Sequence, residues 1–191
     1  MKKNIYFLAI LCTLFTMSSC ETDRFIQSNK LATYTASTTV KPHQKIMLVM
    51  YGTADWDKFY NRAATEFKEK VEKSHDINVV SKVWTPLSFD TQTDIDQAIK
   101  AQKPDFIIEI QQGQTKNTTV AVPISEDMTT TSDVERTNFL LTLKNAEVNQ
   151  VFWKAATSVN RSAVGYVFSN RLFNQLKKDG ILDTGGQLGM K

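Results

Sequence analysis

The chain has 191 residues, with 23 Lys and Arg against 20 Asp and Glu and a formal net charge of +3. That length suits one domain with its own core, and the near balance of charge excludes the strong basic excess of an electrostatic nucleic-acid footprint. Two cysteines and two histidines leave little material for a metal site or a disulfide framework.

The chain opens with a positive pair, Lys2 and Lys3, followed by an apolar run from Ile5 to Met17 and then Ser18, Ser19 and Cys20. The run is shorter than the roughly 20 residues a membrane-spanning helix needs, and its layout is that of a signal peptide over residues 1–19. A plain secretory leader requires no cysteine directly after the cut. Met17-Ser18-Ser19-Cys20 resembles the bacterial lipobox, although Met17 stands where Leu is usual. The resemblance implies a diacylglycerol on the Cys20 thiol, cleavage just before it and attachment to a membrane through palmitate-type chains. A single acyl chain binds marginally, whereas two or three hold firmly. Cys12 would leave with the leader, and a lipidated Cys20 would leave no thiol for a disulfide. The competing expectation is an ordinary signal peptide cut near Ser19, leaving Cys20 as a free thiol. Glu21 and Asp23 resemble the acidic signal that, in some Gram-negative groups, directs lipoproteins to the outer face of the outer membrane. Thr22 and Arg24 interrupt that pattern, so the periplasmic face and the cell surface both stay open.

Residues 20–42 are polar and rich in Thr and Ser, and read as a flexible tether. A folded domain is expected over 43–182. It begins with Lys45 to Tyr51, a continuous apolar run typical of a strand covered on both faces. Gly52 ends the run, and Thr53 or Asp55 offers a helix cap. Trp56, Tyr60, Ala63, Phe67 and Val71 recur at intervals of three and four, so an amphipathic helix follows. Ile77 to Trp84 reads as a second strand, closed by Pro86. Asp90 to Gln102 reads as a helix with Ile95, Ala98 and Ile99 inward and Asp94 and Asp96 in its first turn. The step Lys103-Pro104-Asp105 stops it, and Phe106 to Ile110 forms the third strand. Two successive β-helix-β steps predict parallel strands.

The pattern then turns antiparallel. Val120, Val122 and Ile124 alternate with small or polar residues, Ser125 to Asp133 reads as an acidic, Thr-rich loop, and Asn138 to Thr157 reads as a hairpin turning at Asn145 to Glu147. Ser162 could cap a last helix carrying Val164, Val167, Phe168, Leu172 and Leu176, ended by Gly180. Residues 183–191 are Gly-rich and expected to be disordered. The expectation is one α/β (α+β) domain: a single mixed sheet, β-α-β-α-β, followed by antiparallel strands and a C-terminal helix.

Catalytic patterns are missing from this reading. His43 and His75 fall far apart, no serine stands in a nucleophile elbow, and the carboxylates Asp90, Asp94 and Asp96 lack the glycine and closing glutamate of a Ca²⁺ loop. Glu126 and Asp127 read as a solvated loop tip. The turn after the first strand lies where open α/β sheets bind ligands, which makes Tyr51, Asp55 and Trp84 the candidate binding residues. Trp56 and Trp153 read as core. No cofactor, metal or nucleic acid is expected.

The stretch Gln97 to Ile110, a helix entering a strand through Pro104-Asp105-Phe106, and the Phe139 to Ala155 hairpin with its following helix are similar to small bacterial envelope lipoproteins. They also look like the α/β domains of curli-secretion-type lipoproteins and the TolB amino-terminal domain. The resemblance implies a non-enzymatic outer-membrane lipoprotein that presents its domain for envelope assembly or to a protein partner. The alternative is a lipoprotein that binds a glycan or peptidoglycan fragment.

Overall fold

The computed structural model describes residues 26–30, 38–85, 92–125, 128–160 and 165–182. In chain order the elements are β1 (Ile26–Lys30), β2 (Lys45–Tyr51), a 3-10 turn (Ala54–Trp56), α1 (Asp57–His75), β3 (Asn78–Trp84), α2 (Gln92–Gln102), β4 (Phe106–Ser125), β5 (Met128–Asn145), β6 (Val151–Asn160) and α3 (Gly165–Lys178). The strands form one six-stranded sheet in the order β1-β6-β5-β4-β2-β3. β2 runs parallel to β3 and β4, while β4, β5, β6 and β1 pair antiparallel in turn. This is the mixed α/β sheet with a C-terminal helix that the residue pattern predicts.

Alternation along β2 divides the core in two. Ile46, Leu48 and Met50 face a large core shared with α1 and α3, whereas Met47 and Val49 face a smaller one closed by Ile95 of α2, with Ala98 and Ile99 packed against it. A strand buried on both faces must be apolar throughout, and β2 is. The predicted stripe of α1 is buried along its whole length, from Tyr60 through Ala63 and Phe67 to Val71. α1 and α3 meet closely: a Cβ on Gly165 would lie 2.6 Å from the Phe59 carbonyl oxygen and 2.8 Å from the Ala63 nitrogen. One turn further, Ser169 Oγ sits 2.6 Å from the Ala63 carbonyl oxygen and 3.0 Å from that of Gly165.

The connections are fixed by side chains at strand starts and helix ends. The Asp105 carboxylate accepts from the Lys45 backbone N–H at 2.7 Å, and the Asp105 N–H donates to the Lys45 carbonyl. The Pro104-Asp105-Phe106 step therefore aligns the starts of β2 and β4. α1 ends on Asp76 in the left-handed conformation, a region Asp tolerates better than most residues. Gly180 (φ 70°) ends α3 as expected, and Ile181 N–H reaches back to the Leu176 carbonyl.

Several expectations are corrected. Residues 26–30, read as tether, form β1 along β6, from Ile26↔Thr157 to Lys30↔Trp153; without β1 the β6 edge would present unpaired backbone groups. Val40, also placed in the tether, is fully buried and bridges to Leu182. β4 does not stop at Ile110 but continues to Ser125, and the expected loop from Ser125 is strand again from Met128. Threonine is β-branched and favours extended backbone, so the Thr-rich segments pair with each other. Thr53 makes no side-chain cap, and α1 starts only after the 3-10 turn. Cys20, Asp90, Glu126, Asp127, Ser162 and Val164 lie outside the described residues, as do the leader and residues 183–191.

Candidate functional site

The carboxyl ends of β2 and β3, together with the Glu109 to Gly113 stretch of β4 beside them, frame an open cleft of about 640 Å³ lined by Tyr51, Gly52, Thr53, Trp84, Gln92, Glu109, Gln111, Gln112 and Gly113. Parallel register produces this convergence, because Tyr51 pairs with Trp84 on one side and with Gln111 on the other. The Tyr51 and Trp84 rings stand 6.3 Å apart, tilted by 55°, and both pack against the small core under α2. The first turn of α2 supplies Gln92, whose amide donates to Asp96 at 3.1 Å.

Glu109 is the carboxylate of the lining. Lys144 Nζ lies 2.7 Å from its Oε1, with the two side chains only 17 % and 16 % exposed, and Thr142 Oγ1 donates to its other oxygen at 3.5 Å. The pair brings no net charge to the cleft. Burial pushes the Tyr51 phenol above its ordinary pKa, and the Glu109 carboxylate adds to this. A hydrogen bond with Gln92 opposes the rise, and Asp96 contributes further to it. Tyr51 is therefore a neutral hydroxyl at physiological pH.

The opposite wall is organised by Gln112. Its Oε1 accepts from Thr53 N–H at 2.8 Å, Thr53 Oγ1 at 3.2 Å and the Tyr60 hydroxyl at 2.6 Å. With the acceptor occupied threefold, the amide N–H donors are what Gln112 has left to offer a ligand. Burial holds the Tyr60 phenol far above its ordinary pKa.

Of the residues singled out from sequence, Tyr51 and Trp84 are brought together in the cleft. Asp55 sits exposed in the 3-10 turn and is not part of the lining. Trp56 and Trp153 are core, and the Trp153 indole N–H donates to Asp179 at 2.8 Å. Gln92, Glu109, Gln111, Gln112 and Gly113 line the cleft as well, and none of them stands out as a candidate from sequence. A signal was present: Glu109 interrupts an otherwise apolar run, and Gln111-Gln112-Gly113 follows it level with the end of the parallel strand β2, where such sheets bind ligands.

A second cleft, about 460 Å³ and at the other end of the sheet, is lined by His43, Glu72, Asp76, Ile77 and Asn78. Its polar groups serve the loop itself: His43 contacts Asp76 at 3.0 Å, and Glu72 accepts from the Val79 N–H at 3.0 Å. Among the described residues no group of three or more His, Cys, Asp or Glu gathers to hold a metal ion, and no helix is long and apolar enough to cross a membrane.

No protein-family model matches the chain, and no curated protein does. Some solved structures are similar to this chain at very low identity and with TM-scores below 0.5. The PelC dodecamer subunit from Paraburkholderia phytofirmans is 6% identical, with a TM-score of 0.47, over 82% of this chain and 96% of that one. A neuraminyllactose-binding hemagglutinin homolog from Helicobacter pylori is 10% identical, with a TM-score of 0.43, over 77% and 94%. Lipoprotein GNA1162 from Neisseria meningitidis is 9% identical, with a TM-score of 0.38, over 71% and 96%. Solved structures similar to this chain thus include a bacterial lipoprotein; these three lend no support to the curli-secretion or TolB resemblance. The likeness concerns fold and transfers nothing about the cleft.

Proposed function

We propose that the protein is a bacterial envelope lipoprotein, anchored through Cys20, whose α/β domain binds a neutral, hydroxyl-rich ligand of the glycan class in the cleft at the ends of β2 and β3, beside Glu109 to Gly113 of β4. One observation carries this reading: two aromatic rings, Tyr51 and Trp84, stand beside the amides of Gln92, Gln111 and Gln112 around a carboxylate already matched by Lys144. A sugar presents an apolar C–H face that packs on aromatic rings, and hydroxyls that both donate and accept, as amides do. A phosphate or carboxylate ligand would need an unmatched cation and would meet Glu109. The reading is one of binding without turnover, since glycoside hydrolysis ordinarily takes two carboxylates flanking the scissile bond and the lining contributes one. The anchor rests on Lys2 to Cys20, and outer-membrane placement on Glu21 and Asp23.

Calorimetric titration with neutral mono- and disaccharides tests the site. Saturable binding is expected, weakened about tenfold or more in Trp84→Ala; no saturable heat from any neutral sugar would overturn the reading. Labelling cells with a palmitate analogue tests the anchor, with incorporation expected in the wild type and lost in Cys20→Ala.

A second reading, presentation of the domain to an envelope protein partner, is favoured by the β4–β5 hairpin. Its backbone pairing runs on to Ser125↔Met128, whereas β6 leaves β5 at Arg136↔Asn160. Among the described residues the outer part of the hairpin is therefore a two-stranded ribbon that runs past both β2 and β6, and it is the part this reading assigns to a partner. In-cell crosslinking from ribbon positions should then recover a reproducible envelope protein, and recovery of none would count against it.

A further inference from the structure

The cleft continues into a row of side chains that crosses the sheet at one level. In register, Trp84 pairs with Tyr51, Tyr51 with Gln111, Gln111 with Leu140, and Leu140 with Ala156. All five lie on the α2 side. Tyr51 and Trp84 pack on the core beneath α2, and Gln111 follows Ile107 and Glu109 at the strand period of two. Leu140 stands between buried Phe139 and Leu141, and Ala156 between buried Ala155 and Thr157. Among the described residues, α2 packs with residues of β2, β3 and β4 and with Ala146. Beyond α2, Gln111 and Ala156 are exposed, and Leu140 is 46 % exposed. Neighbouring strands are about 4.8 Å apart, so the row from Trp84 to Ala156 is about 19 Å long. Thr142, the Glu109–Lys144 pair and, at the far end, exposed Lys154 flank it on one side, and exposed Asn138 and Ser158 on the other.

Resting on the glycan reading of the cleft, we infer that this row is an extended binding platform for a linear, neutral polysaccharide. One sugar sits in the Tyr51–Trp84 cleft, and the chain runs across the strands over Gln111, Leu140 and Ala156. The arrangement selects a chain over a single sugar, because apolar contact (Trp84, Tyr51, Leu140, Ala156) continues well past the cleft while polar groups line both flanks. It also selects a glycan over a peptide. β2, β4, β5 and β6 each pair on both edges, and only β3, which carries Trp84, is an edge strand, so from Tyr51 to Ala156 the platform offers side chains only. An extended peptide laid across it would have no ladder for its own N–H and C=O groups, whereas sugar hydroxyls need only side-chain partners. The matched Glu109–Lys144 pair keeps the cleft end uncharged.

The test is a chain-length series on the full-length protein in detergent, using β-1,4-linked oligomers of N-acetylglucosamine and of glucose from the monosaccharide to the hexasaccharide. Affinity is expected to rise about tenfold or more between the disaccharide and the longer oligomers of at least one series. Leu140→Asp changes an exposed side chain and should abolish that gain while leaving monosaccharide binding intact. Binding that stays flat with length overturns the platform and leaves the cleft reading standing. A length-dependent gain unaffected by Leu140→Asp also overturns it, because the chain would then follow another path. No binding at any length overturns both.

Discussion

Gln112 Oε1 draws together the backbone of Thr53, the hydroxyl of Thr53 and the hydroxyl of Tyr60, so a single oxygen ties the turn after β2 to α1 and β4. The contact is possible only because residue 52 has no side chain. A Cβ there would lie 1.7 Å from the Tyr60 hydroxyl oxygen and 2.2 Å from Cζ. The constraint is steric occupancy by a buried ring. Gly52→Ala must push the Tyr60 ring aside and separate its hydroxyl from Gln112, a local overpacking that costs typically about 1–3 kcal/mol. Urea denaturation should show a midpoint lowered accordingly, with sugar binding weakened because the Gln112 amide loses its fixed orientation. An unchanged midpoint would show that the turn adjusts freely and that the Gln112 wall is not rigid.

The contact between α1 and α3 follows a similar rule on a larger scale. Gly165 lets the helices approach until its Cα faces the Phe59 carbonyl and the Ala63 nitrogen, and Ser169 uses that closeness to donate within the core. Because the atoms in the way are helix backbone, Gly165→Ala has to move one helix off the other. Losses of about 1–3 kcal/mol in chemical denaturation are expected, larger than the roughly 1 kcal/mol for the hydrogen bond removed in Ser169→Ala. The reverse order would mean that close approach matters less than the hydrogen bond. The contrast between elements explains what was legible in the sequence. α1 announced itself because Trp56, Tyr60, Ala63, Phe67 and Val71 repeat at the helical period, and β2 because Ile46 to Met50 is unbroken. Two of the cleft residues could be placed from the ends of such strands. β4 showed an alternation again at Val120, Val122 and Ile124, but the stretch between Ile110 and Val120 and the start of β5 carry no such signature: their polar, Thr-rich residues gain order by pairing with each other, a non-local property. Gln112 was hidden for a related reason, since its role depends on Thr53 and Tyr60, far away in the chain.

At the scale of the whole molecule, the sheet separates two unequal cores, and a tyrosine from each bears on the cleft: Tyr51 lines it, and Tyr60 braces its wall through Gln112. Tyr60 belongs to the large core with α1 and α3, and Tyr51 packs on the small one under α2. Burial raises the pKa of both phenols from the ordinary 10.0, with Glu109 contributing for Tyr51. In the unfolded chain both would ionise near pH 10, while in the fold they keep their protons to higher pH. A group whose pKa is higher in the folded state contributes its full stability below the unfolded value and loses it as pH rises through the gap. Stability should therefore not vary with pH through these tyrosines near neutrality, and should fall progressively above about pH 10. For a fully buried phenol such as Tyr60 the loss by pH 11 is about 1 kcal/mol. Tyr60→Phe separates this effect from the hydrogen bond. At neutral pH the variant should be less stable by about 1 kcal/mol, since Gln112 loses a donor, but its stability should fall less steeply than that of the wild type between pH 9 and pH 11, values that bracket about one unit on either side of the free phenol. Denaturant midpoints across that range give both quantities from one series. Parallel alkaline slopes in the two proteins would show that Tyr60 ionises without resistance and that the junction between the cores is open to solvent. A shallower slope in the variant would mean that the wall of the cleft and the large core resist alkali as one unit.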